Sequence, residues 1–436
     1  MLDYRDLGGD LAAGDHRAAA RKAQRLLTAA EGIPFVPSDE VPIEPLLFSS
    51  AEYDSHLAVV KRIDALLQEV AWSVGGDPAG LRAALTGGDD NHDLLSADTT
   101  MEKTWASCMF RIDAVVSGGV LKVLENNVGG SIGGPNLMHL LVGQHREEVA
   151  DVSGRVHFDD PFDARRLLYE DACRWVDGPR SVALLATKRE TFYAHPRYWS
   201  VETEFMAKHD IDAVFQEPED LAHSPGRFSA ALRHFIPAEW KELGIDLDLV
   251  RRAADNGTLM LAPESSRLIQ NKKVLAWLSS AADTMNGHDR EFVAAHLPWT
   301  RIVEPVEVDY RGRTWHLPEL LRRNREDFVL KPVYGYGGHG VTVGRFTPHG
   351  EWRGAVESAL SDAFIVQEYA EPDRVSMAFY NRGTGTARRV EVAPVLGFAV
   401  FGGRNAGCVV RHNPALTSGV VNGAQGASQN VAGWHA

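Results

Sequence analysis

Between positions 111 and 127 the sequence RIDAVVSGGVLKVLENN gathers an arginine, two carboxylates and an amide, at Arg111, Asp113, Glu125 and Asn127. The runs FRIDAVV and VLKVLEN are rich in β-branched and apolar residues, and Ser117-Gly118-Gly119 between them is a hairpin signal. With Val116 and Val120 flanking a three-residue loop, Arg111 is expected opposite Glu125, and Asp113 one step along on the same face. Asn127 shares that face by the strand period of two. Two carboxylates and a carbonyl oxygen on one sheet face repel or waste desolvation energy unless a cation sits among them. Oxygen ligands without His or Cys suit Mg2+, which commonly takes one or two carboxylates and leaves its other positions to water and phosphate. The plainer alternative is an amphipathic hairpin whose solvated face carries incidental charges. On the metal reading, Asp113→Asn or Glu125→Gln abolishes turnover and leaves the fold intact. Relief of repulsion would even raise stability without ligand.

Further along, FVLKPVYGYGGHGVTVG (328–344) reads as an apolar strand with Lys331 at its end, a proline, and a loop containing Gly335, Gly337, Gly338 and Gly340 before a second strand. It is neither GxxxxGK[ST] nor the strand-GxGxxG-helix order of a dinucleotide fold. A second glycine-rich loop, Gly129, Gly130, Gly133 and Gly134 around Ser131, precedes a helix and exposes backbone N–H groups to an anion. Cys108, a strand cysteine without an identified base, reads as a small core residue.

In their order these motifs resemble the circularly permuted ATP-grasp ligases, in particular the synthetase domain of glutathionylspermidine synthase. In that group the pattern Arg-x-Asp, eleven residues, Glu-x-Asn supplies magnesium and phosphate ligands, and Arg111, Asp113, Glu125 and Asn127 match it. The resemblance implies that Asn271-Lys272 opens a helix with the lysine on the nucleotide phosphates, and that Lys331 and the loop with Gly337 and Gly338 cover the triphosphate. It also implies that Gln367, Glu368 and Tyr369 of AFIVQEYAEP hold adenine and ribose, and that Arg411, in a G-x-x-x-R setting, points at the phosphates. Asn422 is a weaker candidate. Standing alone, the lysine pair would be a helix start with two exposed lysines, and the 363–372 segment an edge strand. The carboxylate hairpin precedes the nucleotide lysines, which is the permuted order. The likeness spans roughly residues 105–430 and lacks any amidase domain, so spermidine and glutathione are not implied as substrates.

The elements that must position these residues are legible as an α/β (α+β) chain. Residues 15–30 read as a helix capped by Asp15, and Val59, Val60, Ile63, Leu66, Leu67 and Val70 recur at helical spacing. Residues 165–265 alternate helix and strand: ARRLLYEDACRWV, SVALLAT, WSVETEFMAKHD, DAVFQE, then LVRRAADNGTLMLAPE. His195, Arg197, Glu202 and Glu204 there read as surface residues of an amphipathic helix, and GGDDNHD at 87–93 as a surface loop. The expected organisation is an N-terminal helical region (1–104), an ATP-grasp core (105–164 with 266–436) and a Rossmann-like α/β subdomain (165–265).

A formal charge of −14 and a pI near 5.6 over 436 residues argue against nucleic acid or an anionic membrane surface as the main partner. Three cysteines without CxxC spacing point to a reducing cytoplasm rather than a disulfide frame or a zinc site. The acidic N-terminus has no apolar h-region, and no long apolar run predicts a membrane span. The expected activity is an ATP- and Mg2+-dependent ligase joining a small carboxylate to an amine, possible substrates being amino acids or a small peptide. A small-molecule kinase of the same fold and a non-catalytic nucleotide-binding protein are the alternatives.

Overall fold

The carboxylate hairpin lies at one edge of the largest sheet. The computed structural model describes residues 15–34, 39–86, 94–148, 155–191, 194–282, 285–335, 337–412, 419–421 and 426–436; the 87–93 segment and Asn422 lie outside them. Strands Met109–Ser117 and Val120–Val128 pair antiparallel. Their turn is tighter than the three residues expected: Ser117 pairs with Val120, and only Gly118 and Gly119 turn the chain, at φ +58° and +76°. Positive φ at both central residues is the hairpin geometry for which glycine is suited. The Asp373 carboxylate accepts both turn N–H groups at 2.8 Å.

A two-residue turn alone would set Leu124 opposite Asp113 and send Glu125 to the far face. The pairing instead shifts by one residue there, so that Leu124 is the extra residue of a bulge. Asp113 therefore faces Glu125, and Arg111 faces Asn127. The expected pairing of Arg111 with Glu125 is corrected by two residues, one from the tighter turn and one from the bulge, so the shared face of all four residues is kept.

On its other side Met109–Ser117 pairs with Val395–Phe401, followed in the sheet by Arg404–His412, Ser428–His435 and, parallel to the last, Leu46–Ser49. Helix Ser50–Gly75 covers one face of this sheet. It starts in a capping box formed by Ser49 and Glu52. Its buried Val60, Ile63 and Leu67 join one apolar cluster with Ile112, Val123, Phe398 and Val410, each such burial being worth roughly 1.5–3 kcal/mol. The first hundred residues are thus not only helical: Leu46–Ser49 extends the main sheet, and Glu40–Pro42 extends a three-stranded sheet with Val375–Asn381 and Thr386–Val392.

Two further sheets complete the frame. An antiparallel one, in the order Thr300–Ile302, Phe364–Glu368, Phe328–Pro332, Thr342–Val343, makes Phe364–Glu368 an inner strand rather than an edge. The α/β alternation expected after residue 165 forms a four-stranded parallel sheet, Asp212–Gln216, Ser181–Leu185, Ala230–Arg233, Leu259–Leu261. Glu202, expected at the surface, is 2% exposed and pairs with the equally buried Arg165 at 2.6 Å, with the Tyr169 hydroxyl donating to its other oxygen. In its helix, Pro196–Ala207, Glu202 shares the one buried face with Tyr198, Trp199 and Met206, so it lies on the core side of the amphipathic pattern. Among the described residues, no helix is long and apolar enough to cross a membrane.

Candidate active site

Asp113 is the hub of the cluster. Its Oδ1 accepts from Arg111 Nε at 2.8 Å and from Arg411 Nη2 at 2.5 Å, and its Oδ2 from Arg111 Nη2 at 3.1 Å and Asn127 Nδ2 at 3.0 Å. Burial alone would raise this carboxyl; the two guanidiniums more than reverse that and hold it well below the usual carboxylate range. Arg411 reaches it from two strands away, across Val395–Phe401. The residue of that strand facing Asp113 is Gly397, and a Cβ there would stand 2.9 Å from Arg111 Cδ and 3.1 Å from Asp113 Oδ1. Absence of a side chain at 397 is what opens this path. Arg111 also donates to the carbonyl of Gly133 at 2.6 Å, tying the hairpin to the first glycine loop.

The second carboxylate, Glu125, pairs with Lys272 at 2.8 Å. Lys272 stands at the start of helix Lys273–Ala281, where Asn271 Oδ1 accepts from Lys273 N, and its own N–H bonds the carbonyl of Val333. Far from being an exposed pair, Asn271 and Lys272 are 1% and 5% exposed. Lys331 projects from the antiparallel sheet to the bulge itself, donating to Leu124 O at 2.9 Å and Gln367 Oε1 at 2.6 Å. Burial pulls the Lys331 ammonium down to about 8; Lys272 adds to that and Glu125 opposes it. Gln367 is fixed in turn by donating to Thr300 Oγ1. Glu368 accepts from the Tyr310 hydroxyl and Arg311, and Arg345 stacks 4.6 Å over the Tyr369 ring.

Two cavities meet at this cluster. A cleft of about 1080 Å3, counting its open mouth, is lined by Lys272, Lys331, Gly338, Gln367, Glu368 and Tyr369. Its apolar walls include Val115, Val329, Val341, Val343 and Val395. A larger chamber of about 2370 Å3 lies on the other side, lined by Arg111, Asn127, Gly337, the first glycine loop and the ends of the parallel sheet. Asn422 apart, which lies outside the described residues, the expected metal, phosphate and nucleotide residues thus line one cavity or the other.

Several groups at the site have no local signal in the sequence. His234, at the end of Ala230–Arg233, lines the chamber, is 3% exposed, and engages Gly130 O and the Tyr198 hydroxyl at 3.2 Å each. Burial, with Arg165 adding to it, pulls this imidazole down to about 3. Gly130 presses so closely on the parallel sheet that a Cβ would meet Arg233 O at 2.5 Å and Leu261 O at 2.8 Å. The glycine loop was legible in the sequence, but its contacts with His234 and Arg233, a hundred positions away, were not.

Arg111, Arg411 and Lys272 pair with the two carboxylates and Lys331 stands beside them on Leu124 O, so four positive groups gather around two negative ones. Among the described residues, no three His, Cys, Asp or Glu side chains group as a metal site. Such a set does not fit a divalent cation alone, which would meet surplus positive charge. It fits one arriving with phosphate oxygens, whose charge the lysines and arginines would share. Arg411 Nε, buried without a hydrogen-bond partner among the described residues, leaves a donor for such an anion. The expected rise in stability on removing Asp113 does not follow from this geometry, because Asp113 holds two arginines rather than repelling a neighbour.

No family model matches the sequence, and no curated protein does. Among solved structures, the glutathione synthetase-like effector GSS30 of Globodera pallida, in its apo form, is similar over 95% of this chain and 97% of its own, with a TM-score of 0.55 at 12% identity. That likeness is one of fold: this mixed α/β chain with several sheets has a glutathione synthetase-like architecture. A Methylobacillus flagellatus KT protein assigned as a gamma-glutamylcysteine synthetase overlaps 74% of this chain and 82% of its own, at 13% identity and a TM-score of 0.38, too low to add to it.

Proposed function

We propose that this chain is an ATP-dependent carboxylate–amine ligase of the ATP-grasp type in circularly permuted order. Residues 105–164 and 266–436 would form the catalytic core, 165–265 a Rossmann-like subdomain, and 1–104 a supporting N-terminal region. The observation that carries this reading is the excess of positive charge, Arg111, Arg411, Lys272 and Lys331 around Asp113 and Glu125, placed where an apolar cleft and a large chamber meet.

In this reading adenine and ribose lie along Gln367, Glu368 and Tyr369 between the valine walls, and the triphosphate runs past Lys331, Lys272, Gly337 and Gly338 toward Arg411. Asp113, Glu125 and Asn127 would hold Mg2+ together with the phosphates, supplying charge neutralisation to the transferred group. The terminal phosphoryl leaves the β–γ bridging oxygen, which keeps the electron pair as ADP, and bonds to a carboxylate oxygen of the acid in the chamber. An amine then attacks the carbonyl carbon; phosphate leaves with the C–O pair, and the amine's proton passes to water. Alignment and charge stabilisation dominate such transfers, so no protein nucleophile is needed. Consistently, Cys108 is buried and its thiol is pushed up by burial.

Hydroxylamine tests the acyl phosphate. With MgATP and a panel of amino acids and small peptides, at least one acid should give a hydroxamate with ADP and phosphate in equal amounts. A stable phosphorylated product would make the protein a kinase, and AMP with pyrophosphate would rule out this mechanism.

A further inference from the structure

The nucleotide cleft and the chamber share four lining residues: Asp113, Glu125, Arg411 and His339. The first three belong to the charged cluster. The fourth comes from the second glycine loop, 60 or more residues from any of them in sequence. A group touching both cavities stands where a phosphoryl moving from one to the other must pass.

The backbone of this loop explains why that group comes from position 339. Gly337, Gly338 and Gly340 sit at φ +66°, +73° and +73°, a left-handed conformation in which a Cβ is strained. From 337 to 340, position 339 is therefore the one at which a side chain is readily carried. No Lys or Arg occurs between Pro332 and Arg345, so the imidazole is also the basic group this segment can offer. It is exposed and free of the tight ion pairs that hold Arg111, Arg411 and Lys272.

We propose that His339 is a catalytic residue: its imidazole N–H donates a hydrogen bond to a non-bridging oxygen of the phosphoryl group during transfer. The hydrogen bond stabilises charge on the transferring group, and no proton is passed to it. This rests on the ligase reading for the identity of the transferred group. It also predicts a nucleotide preference that the buried lysines alone would not give, because His339 senses the terminal phosphate and not the rest of the nucleotide.

Imidazole nitrogen NMR of the full chain, with the His339 signal identified by its absence in His339→Gln, tests this without knowledge of the acid or amine. Addition of MgADP should leave that signal in place, and the non-hydrolysable MgAMPPNP should shift it. By calorimetry, His339→Gln should weaken MgAMPPNP by about tenfold, the effect of one charge-assisted contact, and leave MgADP within about twofold. If MgAMPPNP binds the parent but the signal stays still, moves equally with both nucleotides, or the variant binds both as the parent does, the assignment is overturned. If neither nucleotide binds the parent, the ligase reading itself has failed, and His339 falls with it.

Discussion

Asp113→Asn should cost about 3–5 kcal/mol of folding stability in the absence of any ligand, the range for removing one member of a buried ion pair. The reason lies in its partners. Arg111 and Arg411 converge on this one carboxylate from different strands, and both are nearly inaccessible to water. The amide keeps one acceptor oxygen but no charge, so two buried guanidiniums lose their counter-ion. Denaturant unfolding of parent and variant measures the difference, and a variant as stable as the parent would show that these arginines are solvated. Acid gives a parallel test. Because the folded carboxyl is held below its ordinary value, its contribution is complete above about pH 4 and is lost as pH falls further toward the folded value. The parent should therefore lose stability through this acid range more steeply than Asp113→Asn.

Lys331→Met should weaken MgATP binding by roughly 1.5–3 kcal/mol, the worth of one charge-assisted contact, which titration calorimetry resolves easily. The substitution keeps the length of the stem and removes the ammonium that now bonds Leu124 O and Gln367 Oε1. Unchanged affinity would make Lys331 a structural tie between the bulge and the antiparallel sheet and nothing more. The same variant carries a pH signature. The folded Lys331 ammonium titrates at about 8, below an unfolded lysine near 10.4, so the unfolded chain binds more protons in between. In the parent, this group makes stability rise with pH from about 8 to about 10.4; in Lys331→Met that rise is absent.

The residue types that could do chemistry were legible in the sequence because their spacing is local: Arg111 with Asp113, Glu125 with Asn127, a lysine closing an apolar strand before a glycine loop. That Arg111, Asp113, Glu125 and Asn127 share one face was legible as well; how they pair and how Arg411 joins them was not. It depends on the bulge at Leu124, which no composition rule announces and without which Glu125 would point away from Asp113. It depends equally on Gly397, whose missing side chain lets Arg411 cross a strand. Glu202 shows the converse failure, since its periodicity looked amphipathic while Arg165 and Tyr169 waited on a neighbouring helix to bury it. His234 and Leu46–Ser49 belong with these: the one takes its role from a loop and the other from a strand, each far away in the chain.

The account turns on whether the four cations and two carboxylates receive a metal–triphosphate. A crystal structure with AMPPNP and Mn2+, the metal located by its anomalous scattering, tests this most directly. The account predicts Mn2+ beside Glu125 and Asp113, sharing the phosphates with Lys272, Lys331 and Arg411, and the base along Gln367 to Tyr369. Nucleotide bound elsewhere, or Mn2+ absent while the Asp113–Arg411 and Glu125–Lys272 pairs stay closed around an empty cleft, would contradict it.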